Sequence, residues 1–302
     1  MEVRDGTVAF RLDGEEAETW YRITGELRPG DFGAPAPLVV LHGGPGATHD
    51  YLLSLEDLAN RRAVVHYDQV GNGRSTHYPD RGTEFWTPEL FVRELRNLVG
   101  ALGIADRHHV LGQSWGGFLA QEYALTQPPG LHSLVLADTA ASWADFASEA
   151  GKLRAELPAE VQATLARHEA AGTYDDPEYT EACLVFYERH LCRVEWPPEV
   201  LATFEWLDGN PTVYRTMNGP SEFHIIGSCK DWQSKDRLPD IRVPTLIVSG
   251  RHDEATPALQ QVLLDGIAGS EWVCFEDSSH MPHVEERERY MQVVGDWLAG
   301  HD

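Results

Sequence analysis

Short apolar runs recur along most of the chain, separated by longer amphipathic stretches. Leu38-Val39-Val40-Leu41, Ala63 to Tyr67, His109-Val110-Leu111, Ser133 to Ala137, Thr245 to Ser249 and Trp272 to Phe275 are strand-length rather than helix-length. They are largely continuous in their apolar character, which predicts strands buried on both faces, as in a parallel sheet. Between them fall helical signals. Thr87-Pro88-Glu89 places an N-cap threonine before a first-position proline and predicts a helix to about Leu102. Phe118 to Leu125, a stretch opening at Thr256-Pro257, and about Glu285 to Leu298 read as further helices. Strands alternating with helices predict an α/β protein whose mostly parallel sheet is covered on both faces. Two β-rich segments precede this pattern, Thr7 to Leu12 and Glu18 to Thr24, with Asp13-Gly14 as a hairpin signal between them.

From about Ala140 to Asp236 the rhythm changes. This stretch is helical in pattern, rich in acids and aromatics, and has no clear buried strand. It predicts an insertion, residues 140–236, in a core made of residues 1–139 and 237–302. Such an insertion would be a lid over the carboxyl ends of the strands, the edge at which open α/β sheets bind ligands. With 302 residues and 42% hydrophobic content, the chain can bury a large core. No apolar run approaches membrane-spanning length, and the charged start Met1-Glu2-Val3-Arg4-Asp5 lacks the apolar centre of a secretory signal, so a soluble cytoplasmic protein is expected. Cys183, Cys192, Cys229 and Cys274 lack metal-ligand spacing and read as reduced thiols. The balance of 24 basic against 48 acidic residues gives a net charge of −24, which repels phosphate backbones and anionic lipids and argues against nucleic-acid and membrane partners. Solubility is the plainer reading of that charge; a preference for cationic substrates is the other.

The candidate chemistry begins at Gly112-Gln113-Ser114-Trp115-Gly116, where a strand runs straight into a helix. A serine on such a turn has its hydroxyl pushed clear of the sheet, and the helix that follows points amides at developing negative charge. A glycine-serine turn without chemistry has the same local pattern, so the order of the remaining parts decides. A serine nucleophile needs a base oriented by a carboxylate, and on sheets with this elbow the partners follow as serine, acid, histidine. Asp253, just past the strand ending near Ser249, is the candidate acid, and His280, just past Phe275, the candidate base. His283 is an alternative base, and Asp138 also follows a strand, where a cap or turn role suits it. His252 reads as an ordinary loop residue, and His66, His108, His109 and His132 as structural histidines. His42-Gly43-Gly44-Pro45-Gly46 supplies a glycine-rich turn after a strand. The amides of Gly44 and Trp115 are the candidate oxyanion donors. No lysine follows that turn with phosphate-loop spacing, and no metal or cofactor is expected.

Taken together these residues resemble the proline iminopeptidase family of serine peptidases, which have the α/β-hydrolase fold. His42 to Gly46 is similar to the family's oxyanion turn, Asp68-Gln69-Val70-Gly71-Asn72-Gly73-Arg74-Ser75 to a structural loop near its site, and Gly112 to Gly117 to its nucleophile elbow. Met217-Asn218-Gly219-Pro220-Ser221-Glu222-Phe223, with Gly227 and Lys230-Asp231-Trp232, resembles the lid segment of the branch holding tricorn-associated aminopeptidases and L-amino acid amide hydrolases. The resemblance implies that Glu222 and Glu254 bind the α-ammonium of a substrate with a free amino terminus. It implies release of an N-terminal proline, or another apolar residue, from a short peptide or an amino acid amide. An amidase, esterase or lactonase acting on a small metabolite with the same machinery is the nearest alternative, and a ligand-binding protein on a hydrolase scaffold is the alternative from another class.

Overall fold

The computed structural model describes residues 2–12 and 14–302. Among the described residues, eight strands form one sheet in the order β1-β2-β4-β3-β5-β6-β7-β8. They are β1 (Val3–Leu12), β2 (Glu15–Thr24), β3 (Leu38–Leu41), β4 (Val64–Tyr67), β5 (His108–Gln113), β6 (Leu131–Ala137), β7 (Thr245–Gly250) and β8 (Glu271–Phe275). From β4 to β8 neighbouring strands run parallel, while β1 and β2 pair antiparallel with each other and β2 pairs antiparallel with β4. Central strands β3, β4, β5 and β7 are buried at every position. That burial is why their sequences read as continuous apolar runs rather than alternating ones. β1 starts four residues earlier than expected and β2 three. The added residues of β1 are exposed or half-buried and are held by the backbone ladder, which no apolar pattern announces. Asp13, half of the expected turn, lies outside the described residues.

The helices are α1 (Pro88–Ala101), α2 (Trp115–Leu125), α3 (Trp143–Arg154), α4 (Ala159–Ala171), α5 (Pro177–His190), α6 (Pro198–Gly209), α7 (Thr212–Met217), α8 (Pro257–Gly266), α9 (Pro282–Glu285) and α10 (Arg287–Ala299). Thr87 caps α1, its hydroxyl accepting from the Leu90 amide. α2 begins at Trp115, directly after Ser114, and α10 covers the expected last helix, with the short α9 ahead of it and a break at Glu286 between them. Asp50–Asn60 forms a 3-10 helix, whose tighter winding the 3.6-residue period does not detect. Among the described residues, five α-helices, α3 to α7, and two 3-10 helices lie between β6 and β7, with two isolated bridges and no strand. No helix among the described residues is long and apolar enough to cross a membrane.

Candidate active site

The elbow at Ser114 is built by close backbone approach. A Cβ at residue 112 would collide with the Gly116 carbonyl, and one at residue 116 with the Leu41 carbonyl, so α2 lies directly on β5 and β3. Ser114 itself has φ +56° and ψ −123°, a conformation that costs a side-chain-bearing residue of order 1–3 kcal/mol. Its amide donates to Ala137 (2.9 Å) and its carbonyl accepts from the Thr139 hydroxyl (2.8 Å), so the surroundings fix the strained turn.

At the end of β7, Gly250 presses against the backbone of Ser278 and Ser279, and the Arg251 and His252 amides donate to Phe275 and Ser278. This brings the two following loops together. His280 Nδ1 donates to Asp253 Oδ1 at 2.6 Å, and the same oxygen accepts the Ala255 amide at 2.8 Å. Both residues are buried. Burial alone would push the His280 imidazole down, but the Asp253 carboxylate, with Glu222 and Glu285 farther off, outweighs it and holds the ring above its ordinary value. Glu285 in turn holds the loop, accepting from the amides of Ser279 and Met281 and from the Ser279 hydroxyl.

Ser114, His280, Gly44, Tyr51, Gln113 and Glu222 all line one cavity of about 560 Å³. Its other wall is made by α5, α6 and α7, with Tyr187, Phe204 and Tyr214 among the contributors. Gly44 has φ +108°, in the left-handed half of conformational space that favours glycine. The neighbouring Gly43 amide is already taken by the Tyr51 hydroxyl (2.8 Å). Trp115 sits with its indole buried and donating to Gln69 (2.9 Å).

Glu222 accepts from the Tyr214 hydroxyl at 2.5 Å. Glu254 is fully buried, with one carboxylate oxygen 3.7 Å from His280 Nε2 and with no hydrogen-bond partner on either oxygen. Burial raises the Glu254 carboxyl well above its ordinary value, and the charges of Glu222 and Asp253 push it the same way. Glu222 is raised as well, again by burial, with Tyr214 and His280 opposing. A buried carboxylate left without donors is costly, and a cation seated beside it would remove the cost.

His283, His66, His108 and His109 are occupied elsewhere. His283 donates through Nε2 to the Tyr51 carbonyl and is lowered to about 3 by burial, so Asp253 faces His280 and not its neighbour. His66 bonds the Leu52 carbonyl, His108 the Ile104 carbonyl and Tyr123, and His109 Ser133 and Asp302. His252 is exposed. Asp68 anchors its own loop, accepting from His49 and from the Arg74 amide. Gln113 and Tyr51 were not singled out by sequence reasoning. The Tyr51 hydroxyl donates to Gln113, whose amide nitrogen donates to the His280 carbonyl (2.9 Å), tying the elbow to the histidine loop. No local pattern marks that link, because its members are 62 and 167 positions apart.

Residues 36–287 match the family model described as alpha/beta hydrolase fold. Among solved structures, the crystal structure of VinJ is 49% identical with a TM-score of 0.94, covering 99% of both chains. That of the proline iminopeptidase of Mycobacterium smegmatis is 46% identical with a TM-score of 0.88, covering 99% of this chain and 98% of that one. The proline iminopeptidase of Lactobacillus helveticus is 38% identical over the full length of both chains. Fold and site together define an α/β hydrolase. Within that class, the chain belongs to the proline iminopeptidase family.

Proposed function

We propose that this protein is a serine aminopeptidase that releases an N-terminal proline, or another apolar residue, from short peptides or amino acid amides through an acyl-enzyme. In this reading His280 takes the Ser114 proton as the hydroxyl attacks the substrate carbonyl, and Asp253 holds the imidazole and its charged form. The amides of Gly44 and Trp115 hold the oxyanion; the Gly43 amide is spent on Tyr51. His280 then protonates the leaving amine, and water releases the amino acid by the same steps in reverse. Residues 140–236 act as a lid that shapes the pocket for the first side chain. The wall aromatics favour an apolar one, and a cavity of about 560 Å³ has room for more than that residue. The free thiols suit a reducing cytoplasm.

The observation that carries the reading is the partnerless Glu254 carboxylate beside His280, with Glu222 on the cavity wall. A substrate ammonium seated between them would satisfy both acids and leave only the first carbonyl within reach of Ser114. An acylated amino terminus brings no charge and leaves the acids unpaired. Turnover of proline β-naphthylamide, prolinamide and N-acetylproline β-naphthylamide tests this. The first two should be cleaved and the blocked substrate should be slower by at least about 100-fold. Equal turnover of the blocked substrate would exclude an ammonium site.

A further inference from the structure

Asp138 directly follows β6 and Asp253 lies three residues past the end of the adjacent strand β7, both in the interior. Asp138 follows β6 with φ +50°, its amide donating to the Val248 carbonyl (2.8 Å) and its Oδ1 accepting the Gly250 amide (3.3 Å). Neither residue is more than 1% exposed. Asp253 Oδ1 serves His280 and Ala255, and Oδ2 of each aspartate is buried with no hydrogen-bond partner. Two carboxylates buried this near one another, with no cation between them, do not both ionise. A single proton between the two Oδ2 atoms satisfies both.

That proton belongs on Asp138, which has one amide donor at 3.3 Å, whereas Asp253 has two shorter donors, one of them the imidazole. Burial holds the Asp138 carboxyl well above its ordinary value, and the Asp253 charge raises it further. The other titratable groups facing Asp138 are Glu285 from α9, Tyr51 from the 3-10 helix and Tyr290 from α10. Those facing His280, besides Asp253, are Glu222, Glu254, Glu285 and His283. None of them is a lysine or arginine that would neutralise the pair in place of a proton.

We propose that Asp138 is a positioning residue: protonated on Oδ2, it donates to Asp253 Oδ2 and holds Asp253 in the orientation that turns Oδ1 toward His280. The inference rests on the proposed roles of Ser114, Asp253 and His280, and it adds a fourth side chain to them.

The test is the pH profile of kcat/KM on a prolyl anilide for the wild type, Asp138→Asn and Asp138→Ala. Asparagine retains a donor toward Asp253 and an acceptor for Gly250. Its acidic limb should stay within about 0.3 unit of the wild type, with kcat/KM within about threefold. If Asp138 is ionised instead, asparagine removes a negative charge beside the Asp253–His280 pair and lowers that limb by about one unit, which overturns the proposal. Alanine leaves Asp253 Oδ2 without a donor, and kcat should fall about 10–100-fold with little change in KM, a loss the asparagine variant does not share. Wild-type kcat in a folded alanine variant also overturns it. Should the alanine variant fail to fold, an infrared difference spectrum of wild type minus Asp138→Asn at pH 8 decides. A protonated-carboxyl band is expected there, and its absence refutes the assignment. That band does not depend on turnover, so a wild type inactive on free-amino substrates would sink the proposed function while leaving this test standing.

Discussion

Ser114 and Glu254 each occupy a place that costs the fold stability. Ser114 keeps a strained backbone, and Glu254 keeps two carboxylate oxygens buried without donors. The second cost has a pH signature. The Glu254 carboxyl is raised in the fold, so its contribution is favourable below the ordinary carboxylate range and is lost as pH rises toward the folded value. Glu254→Gln removes that loss. We expect the variant to melt higher than the wild type at pH 8 and no higher at pH 4, in calorimetric scans without ligand. The same variant should lose about 10–100-fold in kcat/KM on a free-amino anilide, because a charge-assisted bond to the ammonium is gone. A stabilised enzyme of unchanged kcat/KM would show that Glu254 is not in the ammonium site. The places of Ser114, Asp253 and His280, each just past a strand, were legible in the sequence because apolar runs mark the strands that precede them. Asp138 was read as a cap or turn residue, because its place beside the end of β7, where its Oδ1 accepts the Gly250 amide, is set across strands and sequence offers no register.

At the scale of elements, the junction of β5 and α2 is where the fold has least freedom. Gly112 and Gly116 let the helix rest on the sheet with no side chain between, and every neighbour there is backbone rather than a yielding side chain. Gly116→Ala should therefore destabilise by about 1–3 kcal/mol or more, seen as a lower urea midpoint at unchanged slope, and should reduce turnover by tilting the Trp115 amide. An alanine variant with the wild-type midpoint would mean that α2 shifts freely over the sheet. The strands from β3 to β7 were readable because burial on both faces writes a continuous apolar run, and β8, a half-buried edge strand, was readable from the short run Trp272 to Phe275. The Asp50–Asn60 helix was not, and neither was the break at Glu286 between α9 and α10. Both depend on tertiary contacts: Tyr51 reaches Gln113 and Gly43, and Glu286 accepts from the Asp277 amide and the Ser278 hydroxyl.

Across the whole molecule the excess of 48 acids over 24 bases extends to the cavity wall, where Asp175, Asp208 and Glu222 face a single arginine, Arg215, already paired with Asp175. A negative wall should favour a leaving group with a cationic side chain. Prolyl-lysine amide should be cleaved about tenfold faster than prolyl-glutamate amide, as kcat/KM in 20 mM salt, with the gap closing to about twofold at 0.5 M as screening shortens the reach of the charges. A ratio that salt leaves untouched would assign any preference to shape instead. The sequence by itself determined the α/β class and the family, and it set the chain order of Ser114, Asp253 and His280, because these are written in local runs and motifs whose physics acts over a few residues. Only the tertiary structure decided that His280 rather than His283 meets Asp253, that Gln113 and Tyr51 tie the elbow to the histidine loop, and that Glu254 lies beside His280 with no donor. Each of these is a distance between segments remote in the chain, set by how strands register and loops pack, and no local pattern carries that information.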